Sequence, residues 1–311
     1  KYWLELFAIT GLTLLILILS FTNNSNINII TTLGLFAAAT FRLLPSITRL
    51  INSLQQIYFG LPVLNNLLYE FNNQNNYLKV KINDFEILNF KKELSLRNIS
   101  YKYKNSNHNV LENISFLINH GESIGIMGAS GVGKTTLINI MMGLLTPSKG
   151  VILVDGIDVI KKAKSWQNNI GYVPQNIMLL DDTLKNNIAF GEDEKNIDLI
   201  KINKSIKESR LENFIKTIDN GIHAQVGELG VRLSGGQKQR IGIARALYKD
   251  PEIIFLDEFT SAIDGDTERE IINEINNLKK KKTIIMISHK LSALSKCDKV
   301  FQLTKTGLRL I

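Results

Sequence analysis

Residues Gly128 to Thr135 read Gly-Ala-Ser-Gly-Val-Gly-Lys-Thr and fit the pattern G-x-x-x-x-G-K-[ST]. The three glycines let the backbone turn so that several amide groups point at one anion, and a helix that starts at the lysine adds its positive dipole end. A lysine at this spacing reaches the β- and γ-phosphates, and the following hydroxyl is a Mg²⁺ ligand. The stretch therefore predicts a nucleotide-phosphate site formed by Gly128, Ala129, Ser130, Gly131, Val132, Gly133, Lys134, Thr135 and Thr136.

Two carboxylates follow an uninterrupted apolar run. Ile253 to Leu256 has no polar residue, as a strand buried on both faces requires, and it leads directly into Asp257 and Glu258. A carboxylate at the end of such a strand lies beside the metal of a phosphate site. A second one at the strand's mouth can polarise an attacking water, an effect typically worth ~10²–10⁴ in rate. The pair predicts hydrolysis at this site, and the alternative is a pair of surface acids.

A second anion site is predicted further upstream in the chain, in Leu233-Ser234-Gly235-Gly236-Gln237. Residues 237–247 read as a helix, and a serine with two glycines before a helix exposes backbone N–H groups to an anion. We therefore take Ser234, Gly235, Gly236 and Gln237 as further nucleotide-binding candidates.

In their order along the chain, with LSGGQ between the phosphate loop and Asp257-Glu258, the three motifs resemble the nucleotide-binding domain of ATP-binding-cassette (ABC) proteins, in which LSGGQ is the family's own motif. The resemblance covers roughly residues 94–304. It implies an α/β P-loop NTPase cassette with a mixed sheet and a helical subdomain, and ATP and Mg²⁺ as cofactors. It also implies Asp257 as a metal ligand, Glu258 as the base, and Lys134 as a catalytic as well as a binding residue. Because the serine end of LSGGQ closes on the partner's ATP in this family, it implies a dimer with two ATP molecules at the interface.

Further site residues follow from the same resemblance. Gln175, after Val173-Pro174, resembles the Q-loop glutamine that touches Mg²⁺ and the attacking water. His289 follows the strand-like run Thr283 to Ile287 and resembles the switch histidine that contacts the γ-phosphate.

Three more assignments depend on motif similarity. Tyr103 resembles the aromatic residue that stacks on adenine, and Tyr101 shares its strand face as the alternative. Ser261-Ala262-Ile263-Asp264 resembles the D-loop, which communicates between the two sites, and Val226-Gly227-Glu228 resembles the X-loop of exporters.

The chain departs from the family pattern at two positions. Phe259 follows Glu258 where a small residue or proline is usual, and Lys290 follows His289 where arginine is common. Neither change removes a catalytic group. The chain also ends soon after its last predicted strand, which predicts a short or missing C-terminal helical segment.

The first part of the chain predicts a membrane hairpin. Leu6 to Phe21 carries no charge and, with Tyr2 and Trp3 at an interfacial position, approaches the ~20 residues that a membrane helix needs. A second apolar run, Ile29 to Leu44, is interrupted only by Arg42. Basic residues at the outer ends predict that these ends face the cytoplasm. A buried core helix is the alternative for the first run.

These runs predict helices over about 3–22 and 29–71, the second extending into the cytoplasm, with Pro45 and Pro62 as candidate kink sites. We assign 1–71 to the C-terminal part of a transmembrane domain, 72–93 to a linker that starts with an Asn/Gln tract, and 94–311 to the nucleotide-binding domain. Because the chain starts at Lys1 rather than methionine, we expect it to be a C-terminal fragment.

Composition limits the partners. The net charge of +8 comes from scattered residues, so we expect no nucleic-acid partner, and the single cysteine suits a reducing cytoplasm.

The interval between Lys134 and Leu233 contains no heptad array, unlike the chromosome-maintenance and repair ATPases of the family. Membrane helices fused ahead of the cassette are the exporter arrangement. The resemblance therefore implies a half-transporter, paired as a homodimer or heterodimer, in a bacterial inner (plasma) membrane with its cassette in the cytoplasm.

One short resemblance gives an expectation for the transported substrate. Residues 36–47 and 52–57 are similar to exporters that flip lipid-linked oligosaccharides or polysaccharide precursors. Arg42 would then bind a lipid pyrophosphate, or it snorkels to the cytoplasmic interface. A multidrug, lipid or peptide exporter and a membrane-tethered cassette that senses ATP without transport remain alternatives.

Overall fold

The computed structural model describes residues 2–21, 26–78, 88–104, 106, 108–227, 230, 233–260, 263 and 265–311. The chain divides into two compact units, Lys1–Asn83 and Asp84–Ile311. The first unit consists of two helices that contact each other, α1 (Tyr2–Phe21) and α2 (Asn26–Leu78). Lys1 and residues 22–25 of the predicted polar loop lie outside the described residues.

Helix α2 is longer at both ends than the predicted span of 29–71. It passes through Pro45 and Pro62 and continues through the Asn/Gln tract 72–76, the start of the predicted linker. Asparagine costs less than about 1 kcal/mol relative to alanine in a helix, and no glycine or proline follows to stop it. Residues 79–87 of the predicted linker lie outside the described residues.

Membrane-spanning character is strongest in α2. Within the described residues, Ile30–Asn72 is long and apolar enough to cross a membrane, judged by length and composition. The corresponding apolar stretch of α1, Ile9–Leu19, is shorter. The large apolar side chains of both helices are exposed within the first unit, as in Phe7, Leu35 and Phe41.

The described residues of the second unit form two sheets. One is antiparallel, in the order β2-β1-β4-β5, and comprises β1 (Glu93–Tyr101), β2 (Leu111–Asn119), β4 (Lys149–Val154) and β5 (Ile157–Asp158). The other has the order β10-β9-β3-β8-β7-β6 and comprises β3 (Ser123–Met127), β6 (Ile170–Val173), β7 (Ile253–Asp257), β8 (Thr283–Ile287), β9 (Lys299–Thr304) and β10 (Gly307–Leu310). Its strands pair in parallel except for β10, which pairs antiparallel with β9.

The second unit also contains helices. They are α3 (Lys134–Met141), α4 (Ala163–Gln167), α5 (Leu184–Ile188), α6 (Leu199–Glu208), α7 (Glu212–Thr217), α8 (Gly235–Tyr248), α9 (Gly265–Asn276) and α10 (Leu291–Leu294). Of these, α5 to α8 follow one another in the chain between β6 and β7. Short 3₁₀ turns occur at Glu194–Asn196 and Gly221–His223. Strands β7 and β8 are buried along their whole length, which explains their continuous apolar sequence.

Three hydrophobic clusters hold this unit together. One joins the antiparallel sheet, α3 and the large sheet around Trp166, whose Nε1 donates to the Met141 carbonyl at 2.8 Å. A second includes residues of α8, α9, β7 and β8. The third joins α5, α6 and α8. The α/β cassette with a mixed sheet and a helical subdomain is therefore confirmed.

Candidate nucleotide site

The predicted site residues meet at the carboxyl edge of the six-stranded sheet. The phosphate loop follows β3, Asp257 is the last residue of β7, and His289 comes two residues after β8. Since these neighbouring strands are parallel, their carboxyl ends lie at the same edge, where α/β folds bind ligands. The register pairs Asp257 with Ile287, which sets the two loops side by side.

The phosphate loop has the backbone that its glycines predict. Gly131 and Gly133 adopt φ of 74° and 106°. A Cβ at Gly128 would lie 2.6 Å from the Leu303 carbonyl oxygen, so a side chain does not fit there. Helix α3 then begins at Lys134 without a side-chain cap. Its first N–H groups are therefore available to an anion, which fits a phosphate.

Lys134 lies at the centre of the loop. Its Nζ donates to the carbonyls of Gly128 at 2.9 Å and Ala129 at 3.1 Å, and it is 3.5 Å from Glu258 Oε1. The side chain is only 6% exposed. The buried ammonium therefore faces both the loop and the carboxylate.

Thr135 and Asp257, the predicted metal ligands, bring two oxygen atoms together. Thr135 Oγ1 donates to Asp257 Oδ2 at 3.3 Å. Hard oxygen donors of this kind suit Mg²⁺, which in nucleotide sites also takes phosphate oxygens and waters. Within the described residues no group of three or more His, Cys, Asp or Glu side chains could hold a metal.

Burial and neighbouring charges perturb this carboxylate. Burial, followed by the negative charge of Glu258, raises the pKa of Asp257, while Thr135 and Lys134 oppose the shift. Tyr172 of β6 also faces Asp257, and burial together with this carboxylate raises the pKa of Tyr172 to about 12. Tyr172 carries no motif signal in the sequence, because its approach to Asp257 depends on β6 and β7 being neighbours.

Glu258 lies between two basic side chains. Its Oε1 is 2.5 Å from His289 Nε2 as well as 3.5 Å from Lys134 Nζ. Glu258 has a left-handed backbone with φ of 46°, which is uncommon for a residue other than glycine, and its N–H donates to the Ile287 carbonyl. The turn directs the carboxylate across the edge of the sheet toward His289.

Tyr103 flanks the start of α3. Its hydroxyl lies 3.1 Å from Thr136 Oγ1, and its ring packs edge-on against Tyr101 with centroids 4.9 Å apart. Tyr103 is 44% exposed, whereas Tyr101 is partly buried. Of the two tyrosines, Tyr103 therefore offers the more accessible ring face.

Two groups of predicted residues stand apart from this cluster. Gln175 is exposed, and within the described residues it makes no hydrogen bond or ion pair with the site residues above.

Ser234 caps α8, which starts at Gly235 rather than at the predicted Gln237. Ser234 Oγ accepts from Gln237 N–H, and Gln237 Oε1 accepts from Ser234 N–H. Gly236 packs closely on α9, since a Cβ there would be 2.7 Å from Thr267.

Parts of two further motifs lie outside the described residues. In the predicted D-loop these are Ser261, Ala262 and Asp264, and in the predicted X-loop Glu228. The described members are partly or fully buried, Ile263 against the cluster around α9 and Val226 within the helical group.

Comparisons with known proteins agree with this geometry. Residues 111–261 match the family model described as ABC transporter. Relatives include "ABC transporter B family member 13" of Arabidopsis thaliana, 35% identical over 83% of this chain and 21% of its own length. The "ATP-dependent lipid A-core flippase" of Bordetella avium is 34% identical over 68% of this chain and 36% of its own length.

The fold is also found among solved structures. A bacterial Atm1-family ABC exporter with ATP bound superposes with a TM-score of 0.64 and 33% identity, over 70% of this chain and 38% of that one. The chain thus spans less than half the length of the relatives that it matches.

Proposed function

We propose that this chain, which belongs to the ABC transporter family through the ATP-binding ATPase domain at its residues 111–261, is the ATP-hydrolysing part of an exporter or flippase. Helices α1 and α2 would be the last part of its membrane domain, and residues 94–311 its nucleotide-binding domain. The observation that carries the proposal is the position of Glu258, whose carboxylate lies between His289 and Lys134 at the sheet edge.

The residues support hydrolysis with separate roles. The phosphate loop and Lys134 would bind the β- and γ-phosphates, and the Tyr103 ring would stack on adenine. Thr135 and Asp257, with Gln175, would hold Mg²⁺, which neutralises charge that develops on the phosphates.

Glu258 would accept the proton of the attacking water. As the water oxygen bonds to the γ-phosphorus, the bond from that phosphorus to the bridging oxygen breaks and ADP leaves. His289 would orient Glu258 and donate a hydrogen bond to the γ-phosphate. A base positioned in this way typically contributes ~10²–10⁴ in rate.

Pairing with a second half-transporter would complete each site. Within one subunit Ser234, Gly235, Gly236 and Gln237 make no hydrogen bond or ion pair with the described phosphate-loop residues. We propose that they close on the ATP bound by the partner, in a homodimer or a heterodimer, as their place at the start of α8 allows.

For the substrate we propose a lipid-linked oligosaccharide. Arg42 supports this, because it is an exposed guanidinium within the long apolar helix α2 and can bind a pyrophosphate with two donors. The name of the Bordetella relative, an ATP-dependent lipid A-core flippase, is in keeping with a lipid cargo. The protein would lie in a bacterial inner (plasma) membrane with its cassette in the cytoplasm.

The test is the ATPase activity of the intact transporter in lipid nanodiscs. A polyprenyl-pyrophosphate oligosaccharide is titrated against a neutral amphiphile, and Arg42→Ala is compared with Arg49→Ala, which removes an exposed arginine about two turns further along α2. We expect stimulation by the pyrophosphate lipid that is lost in Arg42→Ala and kept in Arg49→Ala.

Other outcomes select the alternatives. Stimulation by the neutral amphiphile alone would favour a drug or simple-lipid exporter, and stimulation by peptides a peptide exporter. ATP hydrolysis that responds to no substrate would favour a membrane-tethered cassette that senses ATP.

A further inference from the structure

A buried carboxylate on α9 joins the two loops that carry Glu258 and His289. Glu268 is 7% exposed and uses both of its oxygens. Its Oε2 accepts from Lys290 Nζ at 2.7 Å, and its Oε1 accepts from the buried hydroxyl of Thr260 at 2.8 Å.

The two donors stand next to the reacting residues in the chain. Thr260 is two residues after Glu258, on the loop that follows β7, and Lys290 directly follows His289, on the loop that follows β8. Because β7 and β8 are paired neighbours, Glu268 bridges adjacent loops at the edge where Glu258 and His289 approach to 2.5 Å.

The backbone around Lys290 is fixed as well. Ser288, which is buried, accepts the Lys290 N–H through its hydroxyl oxygen at 3.0 Å. The Lys290 side chain is about half exposed, yet its ammonium reaches inward to the buried acid. A buried carboxylate that loses a charged partner is left uncompensated, so removing Lys290 should cost more than breaking an exposed surface pair.

We propose that Glu268 is a positioning residue that holds the Glu258 and His289 loops at the spacing required for hydrolysis. The inference rests on the proposed ATPase function, and it assigns a role to Lys290, one of the two positions at which the chain departs from the family pattern. A bridge of this kind acts on the geometry of the reacting groups rather than on nucleotide binding. Its loss therefore lowers kcat and leaves KM for ATP nearly unchanged.

The test uses the intact transporter in nanodiscs and measures kcat, KM for ATP and melting temperature. Lys290→Met removes the charge from a half-exposed side chain, and Thr260→Val removes the other donor. We expect each to lower kcat about ten-fold with KM within about two-fold, since small misplacement of reacting groups costs up to ~10² in rate. Lys290→Arg restores a donor to Glu268 and should stay within about two-fold of the wild type.

The control is Arg269→Gln, which removes the neighbouring charge on α9. Arg269 is exposed and pairs only weakly with exposed Asp266 at 3.7 Å, so this variant should match the wild type. Glu268→Gln should reproduce the loss seen in Lys290→Met, and because both act on one bridge, the double variant should lose little more than either single one.

The outcomes separate the inference from the function on which it rests. One outcome is that the wild type hydrolyses ATP with the same kcat as both Lys290→Met and Glu268→Gln. In that case the positioning role is wrong, while the ATPase proposal stands. Equal loss in Lys290→Met and Lys290→Arg would also overturn it. A wild type without ATPase activity would overturn both proposals.

Discussion

At the scale of single residues, the site concentrates its unusual features on Glu258. This residue combines a left-handed backbone, a mostly buried carboxylate and two basic neighbours. Left-handed conformations cost a residue other than glycine of order 1 kcal/mol, and such costs are found at functional positions. The following Phe259 is buried with Ile271 and Leu294, which explains how a large ring is accommodated where the family usually has a small residue.

Glu258→Gln should abolish most ATP turnover and preserve ATP binding. The amide keeps the shape and the hydrogen-bonding oxygen of the side chain but cannot accept the proton of the attacking water. We expect kcat to fall by about 10²–10⁴. Steady-state ATPase assays and an ATP titration measure the two effects, with exposed Glu252→Gln as the matched control. Near-normal turnover in Glu258→Gln would show that another group is the base.

Sequence could identify the residues whose signal lies in the adjacent positions of the chain. The spacing within Gly128 to Thr135 defines the phosphate loop by itself, and Asp257 directly follows an apolar run that is typical of a buried strand. Tyr172, Thr260 and Glu268 could not be found in this way. Each approaches its partner through the order of strands or the packing of α9, which no local spacing encodes.

At the scale of elements, one turn ties the start of the cassette to its antiparallel sheet. Asp155 and Gly156 form the two-residue connection between β4 and β5, both with positive φ, as tight hairpins require. The Asp155 carboxylate accepts the backbone N–H groups of Lys91, Lys92 and Glu93 at 2.8 to 3.0 Å. Burial alone would raise the pKa of Asp155, but these three N–H groups and the charge of Lys92 hold it below its ordinary value.

Asp155→Asn should lower the stability of the cassette at neutral pH. Asparagine tolerates the left-handed turn, but its single carbonyl oxygen cannot replace a carboxylate that accepts three N–H groups. Because these hydrogen bonds are exposed or only partly buried, the loss of one should cost about 0.5–1.5 kcal/mol, or a few degrees in melting temperature. Thermal unfolding at pH 7 measures the difference, and exposed Asp181→Asn serves as the control.

The same comparison has a defined pH dependence. Because the pKa of Asp155 is lower in the folded state than its ordinary 3.8, its stabilisation is present above that value and disappears as the pH falls through the folded pKa. The two proteins should therefore differ by a constant amount from pH 7 to about pH 5 and converge below about pH 4. A difference that stayed constant at lower pH would contradict the assigned role of the charge.

The sequence pattern predicted the helices of this chain better than the residues at which they begin and end. The apolar runs indicated both N-terminal helices, but α2 continues through the asparagine tract to Leu78. The tract lacks the glycine or proline that ends helices, so its low helix propensity alone was a weak stop signal. The start of α8 at Gly235 has a similar cause, since the capping box between Ser234 and Gln237 draws both glycines into the first turn.

At the scale of the whole molecule, the question is how the two candidate anion sites, at the N-termini of α3 and α8, come to act on one nucleotide. Helix α3 presents its N-terminus to the phosphate loop, whereas the start of α8 is stabilised by its own capping box and packs on α9 through Gly236. Within the described residues no hydrogen bond or ion pair links the two ends. Under the proposed function, a second subunit would bring another α8 to each phosphate loop, and each site would then depend on both chains.

Complementation between two inactive subunits tests this arrangement. Lys134→Ala removes the ammonium of the phosphate loop, and Ser234→Arg places a bulky side chain at the start of α8, so each homodimer should lose most ATPase activity. In a mixed dimer with sites shared between chains, one site carries both changes and the other carries neither. We therefore expect the mixed dimer to recover a substantial part of wild-type activity, about half if the sites act independently.

The measurement uses two affinity tags, so that only mixed dimers are purified, and the wild-type mixed dimer as the reference. If each subunit formed its site alone, both sites of the mixed dimer would carry one damaging change, and activity would stay as low as in the homodimers. If the two tagged copies did not purify together, the partner would be a different chain, and the same pair of changes could then be divided between the two proteins of the heterodimer.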